Sequence, residues 1–556
     1  MVDAVSAPAL RSGTGLPRET AREPGARGGR AVSSDTRVVV VGAGIGGLVS
    51  ALLLAAEGLD VTLVERAAAP GGKMRQVLPP GGAAAPGDQG IDAGPTVFTM
   101  RWVFDQILAR VGTSLDAHLG LQPLDVLARH AWQPPAGAGD AARLDLHADP
   151  RRSTEAIGDF AGAAEARRFE AFCRQARKVY DTLEGPYIRS ERPTLLRMAR
   201  DLGPAGLATL SGLGPFASLW RSLARHFHDP RLQQLFGRYA TYCGGSPFEA
   251  PATLMLVAQV EMDGVWSVDG GMFALARLFA TLATARGARL RYGCGAEELL
   301  VERGRIVGVR LADGSRLQAD AVVFNGDAAA LSGGLLGEAV RAAVPAVPVA
   351  RRSLSALTWA MRATTTGFPL DRHNVFFNRD YAGEFDDIFR HGRLPREGTV
   401  YVCAQDRGAG AAPAASGEER LLCLVNAPAG ADRRPLDPSE IEQCERTSLA
   451  MLQRCGLQVQ PRSVVITGPT EFHRLFPATG GALYGQASHG WMASFRRPGA
   501  TTALPGLYLA GGSVHPGPGV PMAALSGRLA AETLLVHLGS TRRSHPVRIS
   551  GGMSTR

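Results

Sequence analysis

The chain has 556 residues, 45% of them hydrophobic and 20% charged, with 68 glycines; this excludes a disordered chain and a polytopic membrane protein and favours two or more interleaved domains. The formal charge of +9 is spread out, apart from Arg542, Arg543, Arg548 and Arg556 in the last sixteen residues, and with no basic stripe interleaved with aromatics it does not point to nucleic acid. Seven cysteines without a CxxC pair argue for reduced thiols in a cytoplasmic setting, with neither a zinc site nor a disulfide framework.

Residues 1–36, rich in Ala, Gly, Arg, Ser and Pro, read as a disordered leader without the apolar core of a secretory signal. RVVVVGAGIGGLVSALLLAAEGLDVTLVER follows, from Arg37 to Arg66. Val38 to Val41 make a buried strand, and Gly42, Gly44 and Gly47 form a G-x-G-x-x-G turn into a helix. The first glycine allows the tight turn, the second lets backbone approach a pyrophosphate, and the third lets helix and strand pack closely. A second strand, Asp60 to Val64, ends at Glu65, about twenty residues after the central glycine, where a carboxylate can accept hydrogen bonds from a ribose. Strand, helix, strand and acid stand in the order of a dinucleotide site. Arg66 and the pair Gly71-Gly72 before Lys73 then resemble the extended fingerprint of FAD-binding flavoproteins, which implies FAD and sets Lys73 near its pyrophosphate.

Further along, IDAGPTVFT (Ile91 to Thr99) is a short strand and a Gly94-Pro95-Thr96 turn, by itself an ordinary loop. Leu202 to Trp220 carries no charged side chain, yet its prolines and glycines make a poor spanning helix. With Arg192, Arg197 and Arg200 before it and Arg221 and Arg225 after it, it reads either as an apolar hairpin on a lipid surface or as a buried helical pair. In Leu235 to Trp266, residues Tyr239, Tyr242, Phe248, Met255 and Trp266 either line a tunnel for a flat chain or form plain core. Gly270-Gly271 precedes an amphipathic helix over about Met272 to Arg286, with Leu275, Leu278, Phe279 and Leu282 on one face. Arg289 to Asn325 alternates as short strands, with a turn at Gly304 and a hairpin at Asp313-Gly314. LYLAGGSVHPGPGVPMAAL, Leu507 to Leu525, is a strand, a glycine- and proline-lined loop, and a helix opening at Pro521 that faces an electron-rich group. His226, His228, His373, His391, His473 and His489 match no metal or acyl-transfer motif, the last four being placed in loops; His515 reads as a residue that shapes its loop.

Gly42 to Lys73, Asp92 to Thr96, Gly270-Gly271 and His515-Pro516-Gly517 together resemble, in order from about residue 37 to 538, the bacterial phytoene desaturase family of carotenoid-modifying FAD flavoproteins. The resemblance implies an α/β fold: a Rossmann-like FAD-binding domain assembled from 37–110, 262–330 and 500–540, a substrate domain from 111–261 and 331–499 that includes a membrane-contact helical region, and a basic disordered tail over 541–556. It also implies that Gly94, Pro95 and Thr96 border the FAD, that Ala296 meets the adenine, and that Gly511, Gly512, Ser513, Gly519, Val520, Pro521 and Met522 wrap the ribityl chain and flavin. Many members carry an acid after the glycine of this last strand, where Gly512 and Ser513 stand here. Leu235 to Trp266, GPTVFTMRWVFDQI and GGSVHPGPGVPMAALSGRLA are most similar to the members that introduce a 3,4 double bond into acyclic 1-hydroxycarotenoids, the hydroxyneurosporene desaturases.

That resemblance implies hydride loss from C4 to flavin, with the C3 proton passing to water or a loop carbonyl, no motif marking a catalytic acid or base. A polar group at the tunnel end is expected to recognise the 1-hydroxyl. The implied partners are a carotenoid, a lipid surface and a quinone or oxygen as electron acceptor. The implied place is cytoplasmic, peripheral to the inner or photosynthetic membrane. Two other readings stand beside it: desaturation of phytoene itself, and a non-catalytic isoprenoid carrier like the Rab escort and guanine-nucleotide dissociation inhibitor proteins, which resemble this fold.

Overall fold

The computed structural model describes residues 35–80, 90–134, 141–191, 194–214, 217–408 and 417–543. The expected leader up to residue 34, the tail from residue 544, Arg192 and Pro215 lie outside the described residues.

The strand Arg37–Val41 is the middle of a five-stranded parallel sheet, in the order Leu507–Leu509, Ala321–Phe324, Arg37–Val41, Asp60–Val64, Arg289–Arg291. Parallel strands covered on both faces have no solvent side, which is why this one is valine at four successive positions. On one face the helices Ile45–Ala56, Met272–Ala285 and Val520–Arg543 pack together, burying Leu48, Leu52, Leu275, Phe279, Ala524 and Leu525. On the other, Leu299, Val309 and Leu311 of a three-stranded antiparallel sheet (Ala296–Glu302, Arg305–Leu311, Arg316–Gln318) meet Val322 and Leu507. Its turns fall at the expected glycines, Gly304 and Gly314, with φ of +72° and +80°. The last helix runs to Arg543, beyond the expected start of the tail.

A second sheet has seven strands in the order Leu457–Thr467, Ser355–Gly367, Glu418–Ala427, Val400–Ala404, His373–Phe377, Val126–Trp132, Ala142–His147. Helices between residues 150 and 262 bury Phe169, Phe172, Phe227 and Phe236 against Trp132 and Phe377 of this sheet. His373, expected in a loop, lies in a fully buried strand, and His473 lies in the helix Pro469–Leu475.

Leu195–Gly212 is a helix broken at Gly203, whose φ is +59°. Gly206, Thr209, Leu213 and Leu219 turn inward while Pro204, Ala205, Leu207 and Ala208 are exposed; the segment is therefore half a buried helical layer and half an open apolar face. Arg197, Arg200 and Arg221 are exposed around it. Among the described residues no helix is long and apolar enough to cross a membrane.

The two sheets are tied at Asp92. Its carboxylate accepts from the Met272 N–H (2.6 Å), capping the helix Met272–Ala285. Its backbone N–H and carbonyl are held by the Gln405 side-chain amide at 3.0 and 2.8 Å. A Cβ at Gly271 would lie 2.2 Å from the Asp92 carboxylate and the φ there is +78°, so the second glycine of the pair before this helix is required by the tie.

A chamber between the two sheets

The dinucleotide turn is built by close backbone approach. A Cβ at Gly47 would lie 2.1 Å from the Gly42 carbonyl, and one at Gly94 1.8 Å from that of Lys73. A Cβ at Gly72 would lie 3.3 Å from the Gly44 Cα, and the Gly71 N–H donates to the Ala43 carbonyl (2.8 Å), so the two glycine loops pack backbone against backbone. Glu65 is held over the turn by the N–H groups of Ala43 (2.7 Å) and Ala67 (2.8 Å). Gly44 caps the helix Ile45–Ala56 with no side-chain hydrogen bond, leaving the helix N-terminus to an external anion. A side chain outside the sequence motifs completes the turn: Asn325 Nδ2 donates to the Gly42 carbonyl (3.1 Å), while its buried Oδ1 has no hydrogen-bond partner.

A cavity of about 670 Å³ extends from this turn to the second sheet, within the size range of cofactor and ligand sites. Gly42, Gly44, Glu65, Arg66, Gly72, Lys73, Gly94, Pro95, Thr96, Ala296, Gly511, Gly512, Ser513, Gly519, Val520, Pro521 and Met522 all line it. Gly47 stands behind the wall, in the helix–strand contact. The groups present fit FAD: two glycine loops and a helix start for a pyrophosphate, a carboxylate for a ribose, and beyond them the N-terminal turn of Val520–Arg543. Lys73 donates to the Leu483 carbonyl. Burial pushes its ammonium below the ordinary range; the Asp327 carboxylate opposes this and Arg497 adds to it. Arg66 reaches the carbonyls of Arg474 and Leu475, clipping the rim. Arg497, which no motif marked, lies buried and donates to the carbonyls of Tyr484 (3.0 Å) and Gln486 (2.6 Å). His515 is buried against Tyr187, with Nε2 2.9 Å from the Ser190 carbonyl, so it anchors its loop to the chain before the helix Leu195–Gly212.

Past Gly94 to Thr96 the cavity runs along the second sheet. Leu422, Leu424 and Asn426 line it from one strand, alternate residues that step about 7 Å at a time. Tyr401 and Thr358 flank Leu424, and Leu254, Leu256, Val257 and Val260 also line the cavity. The wall is hydrogen-bonded to itself: Tyr401 Oη is 2.8 Å from Thr96 Oγ1 and 2.7 Å from His373 Nδ1. Burial brings His373 down to about 3, helped by Arg372 and Arg238, so it stands there neutral. At the Asn426 end Glu384 accepts from Asn426 (2.9 Å), Asn378 (3.0 Å) and Thr399 (2.8 Å). Of the five residues offered as tunnel wall or core, only Tyr242 lines the cavity. Phe248 packs on Trp220 and Tyr381, Met255 is core, Trp266 stands edge-on to Phe98, and Tyr239 lies behind, bonded to Glu261.

The sequence matches the family described as flavin containing amine oxidoreductase over residues 45–535. It is 67% identical to the hydroxyneurosporene desaturase of Rubrivivax gelatinosus, over 94% of this chain and 97% of that one. It is 47% identical to the hydroxyneurosporene desaturase of Cereibacter sphaeroides, over 91% and 99%, and 27% identical to a 4,4'-diapolycopene oxygenase of Methylomonas, over 91% and 99%. Among solved structures a putrescine oxidase superposes with a TM-score of 0.57 at 14% identity, over 90% of this chain and 99% of that one. An oxidoreductase of Methanosarcina mazei superposes with 0.55 at 18% identity, over 89% and 100%.

Proposed function

The chain belongs to the flavin containing amine oxidoreductase family, and we propose that within it the protein is a carotenoid desaturase that introduces the C3–C4 double bond into acyclic 1-hydroxycarotenoids. The observation that carries this reading is 67% identity to a hydroxyneurosporene desaturase across nearly the whole of both chains. FAD, when bound, supplies the two-electron acceptor for the allylic hydride at C4. Gly42, Gly44, Gly72, Glu65 and the first turn of Ile45–Ala56 hold the cofactor's phosphates and ribose; Gly94 to Thr96 and Gly511 to Met522 border its ring system. The apolar walls, Leu254, Val257, Val260, Leu422 and Leu424, hold the polyene in register and exclude water, so that the positive charge developing at C4 is spread along the conjugated chain rather than captured by solvent.

The substrate is a long, almost wholly apolar chain, and each CH₂ left in water costs about 0.8 kcal/mol. The protein therefore draws it from lipid, through the exposed apolar face of Leu195–Gly212 and the arginines around it. Liposomes carrying either 1-hydroxyneurosporene or phytoene test both statements. The hydroxylated polyene is expected to shift to longer absorption wavelengths and phytoene to persist; turnover of phytoene alone contradicts the substrate assignment. Leu196→Asp with Leu207→Asp is expected to reduce flotation with the liposomes, and to slow turnover from liposomes more than from detergent. Unchanged flotation removes this face from the account.

A further inference from the structure

Leu235 to Phe248 contains a single charged residue, Arg238. It is 8% exposed, lines the chamber, and its Nε–H has no hydrogen-bond partner. One end of the guanidinium is fixed: Nη2 donates to Tyr242 Oη at 2.6 Å, Tyr242 donates to Glu261 Oε1 at 3.0 Å, and Tyr239 donates to Glu261 Oε2 at 2.7 Å. Burial raises the Glu261 carboxyl and the Arg238 charge opposes it. A buried cation that lines the chamber is thus tethered through a tyrosine to a buried acid, with one of its donors, Nε–H, unpaired. An unpaired charged donor in such a place is costly unless a ligand oxygen meets it.

Resting on the proposed function, we infer that the Arg238 guanidinium is the donor that receives the substrate's tertiary hydroxyl oxygen and sets the preference for hydroxylated over hydrocarbon polyenes. The chemistry of the substrate restricts where such a donor can stand. The hydroxyl is three carbon–carbon bonds from C4, a reach of about 5 Å, so its partner belongs near the reacting carbons and not deep in the tunnel. Arg238 lines the same chamber as the Gly94 to Thr96 turn and as Tyr401, whose hydroxyl is bonded to Thr96. A hydrocarbon chain entering in the same pose leaves the donor unpaired, and sites of this kind reject the analogue without the hydroxyl strongly. Tyr381 Oη, also buried without a partner and lining the chamber, is the rival donor.

The test is the ratio of kcat/KM for 1-hydroxyneurosporene to that for neurosporene, the same polyene without the hydroxyl, together with the Kd of each polyene read from its induced circular dichroism. The wild type is expected to favour the hydroxylated chain by about 100-fold or more. Arg238→Met is expected to bring both ratios to within about tenfold, and Arg238→Lys to fall between. Arg238→Met with Glu261→Gln removes both ends of the charge pair and is expected to show the same collapse with the flavin spectrum retained, which separates lost recognition from lost folding. Preference that survives in Arg238→Met, or that disappears in Tyr381→Phe while Arg238 is intact, overturns the inference and leaves the proposed function standing. A wild type with no preference also overturns the inference, whereas a wild type that leaves 1-hydroxyneurosporene unchanged overturns the proposed function.

Discussion

Gly44→Val is expected to leave a folded, colourless protein that neither retains FAD nor desaturates. Gly44 has ordinary φ (−67°), so valine is not excluded by the backbone. A Cβ there would meet Asn325 Nδ2 at 2.8 Å, a side-chain end that can swing aside, and the fold survives. The added isopropyl group stands on the chamber-lining turn, where a phosphate must come within hydrogen-bonding distance of the backbone. Loss of that approach is expected to weaken FAD by about 100-fold or more, roughly 2.8 kcal/mol. The measurement is the flavin-to-protein absorbance ratio after gel filtration, beside far-ultraviolet circular dichroism of the same sample. A yellow Gly44→Val protein with wild-type flavin content contradicts the assignment of this turn.

The second large effect is acid lability. Burial brings His130 and His373 to about 3 and His515 to about 4. All three are lowered relative to an unfolded chain, where histidine titrates near 6.5. Below that pH the unfolded state binds protons that the folded state refuses, so stability is complete above about pH 6.5 and is lost as pH falls toward the folded values. From pH 7 to pH 5 each histidine removes roughly 2 kcal/mol, against a net stability on the order of 5–15 kcal/mol. The buried carboxyls Asp92, Glu261 and Glu384, raised by burial, act in the opposite sense, so the contribution of one histidine is best isolated by substitution. His130 is stacked on Trp132 and Phe377 and phenylalanine suits that space. His130→Phe is expected to reduce the pH 7 to 5 loss of stability, read by urea denaturation, by about 2 kcal/mol. An unchanged loss would mean that His130 titrates as it does in the unfolded chain.

The parts of the molecule that could be read from sequence are those with a local physical signature. Val38 to Val41 with the glycines after them, the amphipathic Met272–Ala285, and the turns at Gly304 and Gly314 each follow from spacing within a few residues. What was not legible depends on partners far along the chain. Asn325 completes the dinucleotide turn from 283 residues away, and at Gly271 the Asp92 carboxylate leaves no room for a side chain. His373 was expected in a loop, yet its strand pairs in parallel with Val126–Trp132, a crossover that no hairpin signal marks. Tyr239, Phe248, Met255 and Trp266 turned to core because an aromatic stretch carries no sign of which ring faces a cavity. Arg238 did have a signal: a lone charge in an apolar, aromatic stretch is either paired or functional.

The reaction itself is tested most directly by incubating the FAD-loaded protein with 1-hydroxyneurosporene in liposomes, in the presence of an electron acceptor, and locating the new double bond by NMR. The account predicts a single product that has lost two hydrogens, one each from C3 and C4, with the hydroxyl retained and the conjugated system longer by one double bond. A product desaturated elsewhere, or an unchanged hydroxylated chain under conditions in which phytoene is consumed, would contradict it.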